Sequence, residues 1–295
     1  MSLVTLSENR SSPLALMPGL FVLLWSTGFI GGKLGLPYAE PMTFLTLRFS
    51  LVTALMLVVS FATRASWPRR WSEAGHIAVV GLLLQGGYLG GVFIGIAAGV
   101  SAGLSALIVG IQPALTAALA GALLGEPVTP RQWLGLGLGL IGVFLVAASK
   151  IELGGTQLFG VAATVLALFG ITLGTLYQKR FCGGMDLRSG TVIQNAVAAL
   201  LMLCGAAAFE NFHVEWHGRF VFALTWLCLV LSVGATLLLF ALLRYGAAAR
   251  VASLFYLVPP VTALMAYLFF GETLGAMALF GMAVAVAGVA LVNRR

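Results

Sequence analysis

Charge is what this sequence has least of. Only 8% of its 295 residues are Asp, Glu, Lys or Arg, and nine are acidic. A soluble domain carries roughly 25% charged residues, so a water-facing surface is excluded. Cysteine is scarce as well: Cys182, Cys204 and Cys228 share no disulfide or metal-site spacing, so no metal centre is expected and the thiols read as inert. His76, His213 and His217 fall at the ends of apolar runs or between them, and no Asp or Glu falls at the middle of one. An intramembrane enzyme needs such groups to converge at depth, so an enzyme is not expected. No G-x-x-x-x-G-K-[ST] motif occurs, which argues against ATP hydrolysis by this chain. No cofactor is expected.

What the chain has instead is apolar length. It is 60% hydrophobic, with mean hydropathy +1.05. Runs of about 20 apolar residues read as membrane-crossing helices. Ten such spans are expected, near 14–34, 41–62, 76–97, 102–124, 130–148, 157–178, 189–209, 220–244, 248–270 and 275–292. Barrel strands would alternate over roughly ten residues, and these runs do not. Residues 1–13 are too polar for a signal peptide, so the first run is expected to be retained as a helix.

The fold class expected is therefore all-α and integral to the membrane. The net charge of +7 does not then call for a nucleic-acid partner. Twelve basic residues fall on one set of connections: Arg10, Arg64, Arg69, Arg70, Arg131, Lys179, Arg180, Arg188, Arg244, Arg250, Arg294 and Arg295. Lys33, Lys150 and Arg219 fall on the other. Basic connections stay in the cytoplasm, so both termini are expected there, in a multi-pass protein of a bacterial inner membrane. Trp67, Pro68 and Trp71 among the arginines of 64–70 read as interfacial anchors with membrane lipid as neighbour.

The chain is also written twice. At an offset of 146 residues Pro259 falls on Pro113, Thr262 on Thr116, Gly271 on Gly125, Glu272 on Glu126, Gly281 on Gly135 and Gly288 on Gly142. A fixed-period repeat reorganises any reading of a fold. The expected units are 1–148 and 149–295, five spans each. Five is odd, so the second unit crosses in the opposite sense. Such inverted-topology repeats are common in secondary transporters, with the substrate near the midplane between them. Exchange of roles between the units would supply alternating access. The plainer reading is a duplication that only stabilises a bundle.

Several uncharged polar and aromatic groups fall at mid-depth. Trp25 in span 1 stands beside Ser26, Thr27 and Gly28, as core packing or as a cavity wall. Span 3 places Gly81, Gln85, Tyr88 and Gly95 on one helical face, with Gly-x-x-x-Gly spacings at 87, 91, 95 and 99 that permit close helix contact. In span 4, Gln112 and Thr116 flank Pro113, which removes the hydrogen bond to the Val109 carbonyl. In lipid, neighbours or cavity water must satisfy such a group. Thr172 lies in span 6. Span 8 carries Thr225, Ser232 and Thr236 on one face, and span 9 carries Ser253, Tyr256 and Tyr267 near another, with Pro259 and Pro260 as a double break. Pro113, Pro259 and Pro260 are the expected kinks. Spans 5 and 10 lack mid-depth polar groups and are expected at the periphery. The run Gly137-Leu-Gly-Leu-Ile-Gly142 matches G-x-G-x-x-G, but it lacks the strand context of a dinucleotide site.

Arg48 lies within span 2, about two turns inside its end; Gln194, beside Asn195, is its counterpart in span 7. An ionisable group in a span is a functional candidate. Snorkelling to the headgroups is the alternative. Glu126 and Glu272 close spans 4 and 9 and read as caps or loop anchors. With no carboxylate at depth, facilitated diffusion or exchange is expected over tight proton coupling.

The segments WSTGFIGGKLG, FLTLRFSL, PALTAALAGALLGE and PPVTALMAYLFFGE resemble the drug/metabolite transporter superfamily, and within it the EamA family. The resemblance covers nearly the whole chain. It implies a ten-helix carrier, makes Arg48 part of the family pattern, and brings in bacterial exporters of amino acids of the YddG type. The expected function is export of amino acids, aromatic ones included, and related small metabolites. The expected cavity residues are Trp25, Gln85, Tyr88, Gln112, Thr116, Thr172, Ser232 and Tyr256, whose amides, hydroxyls and rings can hold an ammonium, a carboxylate or an aromatic group. The alternative is another small solute. A cationic drug would want a mid-depth acid, and a sugar or nucleotide conjugate with several negative charges would want more than Arg48.

Overall fold

The computed structural model describes residues 13–124, 129–150, 155–235, 238, 242, 254–273 and 275–293. These residues are helical nearly throughout. The one β pairing among them is an isolated bridge between Ala39 and Val214.

In chain order the α-helices are α1 Pro13–Gly35, α2 Pro41–Ala62, α3 Trp71–Gly81, α4 Gly90–Ala97, α5 Ala102–Val109, α6 Gln112–Leu124, α7 Pro130–Lys150, α8 Gly155–Phe181, α9 Leu187–Phe209, α10 Gly218–Thr225, α11 Val258–Phe270 and α12 Ala276–Asn293. Among the described residues six segments are long and apolar enough to cross a membrane: Leu16–Tyr38, Pro41–Ala62, Trp71–Ala97, Thr156–Phe181, Leu187–Phe209 and Gly218–Ala235. Leu51, Val58, Phe144, Leu166, Leu200, Leu268, Phe269 and Phe280 point outward and are exposed. In water so many exposed apolar side chains would drive aggregation; in a bilayer they face lipid. The chain is a multi-pass membrane protein.

Two segments depart from the α-helical ladder. Leu82–Leu89, joining α3 to α4, and Trp226–Ala235, extending α10, are π-helical. The offset of 146 carries residues 82–89 onto 228–235, so both halves are unwound at the same place. Such turns are rare and concentrate at functional sites. The first one overturns the expectation of a single face for span 3. Gly81 packs on the backbone of Gln194 in α9, whereas Gly91 and Gly95 pack on α8, against Ala163 and Gly160. The wider π turn rotates the α4 face away from the α3 face.

Glycines also set the closest helix seam. A Cβ on Gly281 would lie 2.7 Å from the Gly142 carbonyl oxygen, and one on Gly288 would lie 2.6 Å from that of Gly135. Residue number rises along α7 as it falls along α12, so the two run antiparallel. The offset exchanges the pairs: Gly281 is the counterpart of Gly135, and Gly288 of Gly142. α7 and α12 present Trp133, Phe144, Leu279 and Phe280 outward, and the rest of the bundle packs on their other side. α2 and α9 pair in the same antiparallel sense. Glu210, just past α9, accepts from the Met42 and Thr43 N–H groups at 2.7 Å, while Arg188 near the start of α9 reaches the Thr63 carbonyl at 3.1 Å.

The connections gather at two ends. Residues 63–70 and 182–186 meet at one, where Ser66 donates its N–H to Asp186 at 3.0 Å and Ser189 its hydroxyl to the Ser66 carbonyl at 2.6 Å. At the other, Glu40 accepts from the Asn211 N–H at 2.9 Å, and Glu272 reaches Lys33 and the Ala102 N–H.

Candidate functional site

The expected residues separate into three groups. The first is aromatic and joins α1 to the segment before α11. Trp25 is half-buried, with its ring 5.3 Å from Phe21 and 5.1 Å from Phe255 in an edge-on arrangement. It packs against the main core. Beside it, Ser26 is fully buried; its hydroxyl donates to the Val22 carbonyl at 2.8 Å and lies 3.4 Å from the Val258 carbonyl. Thr27 accepts from the Trp226 indole N–H at 2.9 Å, tying α1 to the second π segment. The side chain of Tyr256, and Ser253 and Thr236 entirely, lie outside the described residues. Tyr267 is 55% exposed, on the outer face of α11.

The second group is the span 4 break. α5 stops at Val109 and α6 starts at Gln112, so the chain turns at Gly110 and Ile111, just ahead of Pro113. Without its N–H, Pro113 cannot tie back to Val109, and the first turn of a helix is where proline is tolerated. The Gln112 amide donates to the Thr116 hydroxyl at 3.1 Å, so these two side chains are brought together, both half-buried. Pro259 and Pro260 likewise open α11, after a short 3₁₀ turn over Phe255–Leu257. Proline is favoured at these first positions because its missing N–H has no partner there anyway. The two breaks face each other: a Cβ on Gly110 would lie 2.7 Å from Pro259 Cγ. Two buried hydroxyls, Ser105 on α5 and Thr262 on α11, have no hydrogen-bond partner among the described residues.

The third group surrounds Arg48. This side chain is 4% exposed, so it does not snorkel. Its Nε is enclosed without a hydrogen bond to any described residue. The guanidinium lies over the Phe93 ring, 6.0 Å from its centroid. The Cys228 thiol, on the second π segment, lies 3.7 Å from the Arg48 carbonyl. Tyr88, on the first π segment, is the other titratable group within electrostatic reach. Arg48 thus stands between the two unwound segments. Gln85, on the first of them, is half-buried and makes no hydrogen bond among the described residues.

Other expected residues do not join these groups. The Thr172 hydroxyl is fully buried and bonds back to the Leu168 carbonyl at 2.7 Å, within its own helix. Ser232 bonds back to Leu227 at 3.0 Å, five residues earlier, which is the π register. Thr225 is exposed, so it and Ser232 do not share an inward face. Gln194 and Asn195 are buried toward the opposite end from Arg48: Gln194 backs onto Gly81, and the Asn195 amide donates to the Thr191 carbonyl at 2.9 Å. At this offset the two halves of the sequence differ in side-chain chemistry.

Glu272 matters more than its place at a helix end suggested. Gly271 caps α11 with a left-handed backbone, φ +66°, a conformation that favours glycine. The turn aims Glu272 back across the bundle, where its carboxylate pairs with Lys33 of α1 and accepts from the Ala102 N–H at the start of α5. It therefore ties α1, α5 and α11 together. The repeat carries Lys33 onto Lys179 and Glu272 onto Glu126; Glu126 lies outside the described residues. That Lys33 recurs at the repeat offset was the available signal for this pair.

At the opposite end a cavity of about 340 Å³ opens between the 63–70 and 182–186 connections, lined by Trp67, Glu73, Phe181, Cys182 and Asp186 among others. The Arg188 side chain beside Asp186 holds its carboxyl well below the usual carboxylate range. Burial pushes the Cys182 thiol up, which makes it a poor nucleophile. Among the described residues no three His, Cys, Asp or Glu side chains group as a metal site.

Comparison with known proteins agrees with this architecture. The sequence profile of the EamA-like transporter family matches the chain twice, over residues 14–148 and 158–294. A relative in Bacillus subtilis (strain 168), an uncharacterized transporter called YvbV, is 27% identical over 282 residues, spanning 95% of this chain and 92% of its own. A protein of known crystal structure superposes with a TM-score of 0.65 at 19% identity, over 94% of this chain and 96% of that one. Matched end to end by one profile laid down twice, the chain belongs to the EamA-like transporter family.

Proposed function

We propose that this transporter exports amino acids, aromatic ones included, and related small metabolites across a bacterial inner membrane by alternating access. Ten spans form two inverted repeats, 1–148 and 149–295, with both termini in the cytoplasm. It is a carrier, not an enzyme. The observation that carries the reading is the α7–α12 seam, where Gly281 meets Gly142 and Gly288 meets Gly135. Two copies of one unit related by a two-fold axis in the membrane plane would exchange equivalent residues in this way, and such pairs of units are a recurring basis for carriers.

Sidedness follows from charge. Arg64, Arg69, Arg70, Lys179, Arg180 and Arg188 crowd the end that holds the cavity, which we take as cytoplasmic. The Lys33–Glu272 pair then closes the outer end by joining α1 of the first unit to α11 of the second. Its counterpart, Lys179 with Glu126, would close the cytoplasmic end when the units exchange roles. The breaks at Gly110–Pro113 and at Pro259–Pro260 are the joints about which span 4 and span 9 rock. The substrate would lie between them and the π segments, against Trp25, Gln85, Tyr88, Gln112 and Tyr256.

The experiment is counterflow in proteoliposomes. Vesicles loaded with unlabelled phenylalanine are expected to accumulate labelled phenylalanine from outside, transiently and saturably. Absence of saturable counterflow for any amino acid would dispose of the substrate class. Flux driven by a pH gradient alone would replace exchange with proton coupling.

A further inference from the structure

We infer that Arg48 is the anchor for a carboxylate on the transported molecule, so that the carrier selects for an anionic group and rejects the same molecule without it. This deepens the amino-acid reading and rests on it for the identity of the site as a transport site.

The argument starts from what Arg48 lacks. A guanidinium is charged at every physiological pH. Taking an ion out of water without a counter-charge is costly, and buried charges are normally paired. Arg48 is 4% exposed, and among the described residues no carboxylate approaches it. The described acids are all at helix ends and already engaged: Glu40 with the Asn211 and His213 N–H groups, Glu73 with the Arg69 N–H, Asp186 with Arg188, Glu210 with Met42 and Thr43, Glu215 with His213, and Glu272 with Lys33. What meets Arg48 instead is the face of Phe93, 6.0 Å away, and the neighbouring Tyr88 and Cys228. Neither a tyrosine nor a cysteine is ordinarily an anion at neutral pH. The ring contributes about 0.5–2 kcal/mol of cation–π attraction, well short of the several kcal/mol that desolvation of an ion costs. The site carries a cation, and among the described residues no anion balances it.

Its position adds a second, independent observation. Arg48 is flanked by the only two π-helical segments among the described residues, one from each half of the chain. Tyr88 comes from the first and Cys228 from the second. Local unwinding of this kind is uncommon inside membrane helices and recurs where a ligand is handled. α2 and the first π segment fall within the first profile match and the second π segment within the second. Parting of the halves therefore uncovers the guanidinium, and their closure seals it with whatever it has taken. A planar fork of donors suits a carboxylate, which it can grip through two hydrogen bonds. A single such fork suits one carboxylate better than a polyanion.

The test is a binding comparison on the purified full-length protein, read by thermal shift and by competition in counterflow. The probes are phenylalanine, its amide, its decarboxylated amine phenethylamine, and phenylacetate. Phenylalanine and phenylacetate are expected to stabilise the wild type; the amide and the amine are expected to bind at least tenfold more weakly. Arg48→Gln should lose at least tenfold in affinity for the two carboxylates and narrow their advantage over the amide. Arg48→Lys, which keeps the charge and loses the fork, should fall between and serves where Arg48→Gln does not fold. Equal binding of amide and carboxylate to the wild type overturns the inference without any variant, as does an Arg48→Gln protein with unchanged carboxylate affinity. Phenylacetate bound through Arg48 while no amino acid is carried would sink the amino-acid reading and leave this one standing. Phenylalanine and its amide carried equally well would overturn this inference and leave the amino-acid reading standing.

Discussion

The α7–α12 seam gives a prediction whose size follows from geometry. An added methyl on Gly288 would lie 2.6 Å from the Gly135 carbonyl oxygen, 2.7 Å from the Gly139 nitrogen and 2.8 Å from the Leu138 Cβ. Ordinary van der Waals contact begins near 3.4 Å. Two of these neighbours are helix backbone, so neither can rotate away, and the two helices must part by about 0.8 Å. Overpacking of this kind costs about 1–3 kcal/mol. The same substitution also gains about 0.5–1 kcal/mol, because alanine fixes a helix better than glycine. Gly137→Ala, in α7 itself, separates the two effects, since an added Cβ there meets nothing within 4 Å. The difference between the variants is then the overpacking alone, about 1–3 kcal/mol. The assay is thermal unfolding of detergent-purified protein, followed by size-exclusion of the surviving fraction. Gly288→Ala should melt several degrees below Gly137→Ala. Gly281→Ala should behave like Gly288→Ala, and the double variant should cost less than the sum, because one separation relieves both clashes. A Gly288→Ala protein as stable as Gly137→Ala would mean that the helices do not meet there.

Three further outcomes are expected. Lys33→Gln and Glu272→Gln should each lower the melting temperature, and the double variant should cost less than the two together, because each single change leaves its partner's charge unpaired while the amide oxygen of Glu272→Gln can still accept from the Ala102 N–H. Thr27→Val should cost about 1–3 kcal/mol by leaving the Trp226 indole N–H without its acceptor, and Trp226→Phe in that background should recover part of the loss in the same melt. Asp186 has its folded pKa depressed by Arg188, so its contribution is present above the ordinary carboxylate pKa and fades as pH falls through the folded one. Asp186→Asn should therefore be slightly less stable than wild type at neutral pH, by little because the pair is near the surface, and the two should converge in strong acid.

The membrane class and the doubling were legible because both are written in bulk: apolar length and a fixed offset survive any local irregularity. The pairing of Gly142 with Gly281 was not written anywhere, although both glycines were visible as packing residues. Which glycine meets which is decided by tertiary contact. The π segments were missed for a different reason. Residues 82–89 carry an ordinary apolar pattern, and a five-residue turn leaves no compositional mark. That single turn misdirected the assignment of Gly81 and Gly95 to one face. Arg48 drew attention by its charge and by its place in the family pattern, but burial and missing counter-charge belong to its neighbours, which come from α4 and from a segment 180 residues away. Thr172 illustrates the converse: a hydroxyl at mid-depth looked available and is spent on its own helix.

The opposed orientation of the two halves is tested most directly by labelling equivalent positions from each side of the membrane. Arg70 and Trp216 are 146 residues apart, exposed, and outside the helical spans. In a protein with Cys182, Cys204 and Cys228 replaced, Arg70→Cys should react with a membrane-impermeant maleimide only when the cytoplasmic face is open to it, and Trp216→Cys only from outside. Labelling of both from the same side would contradict the account.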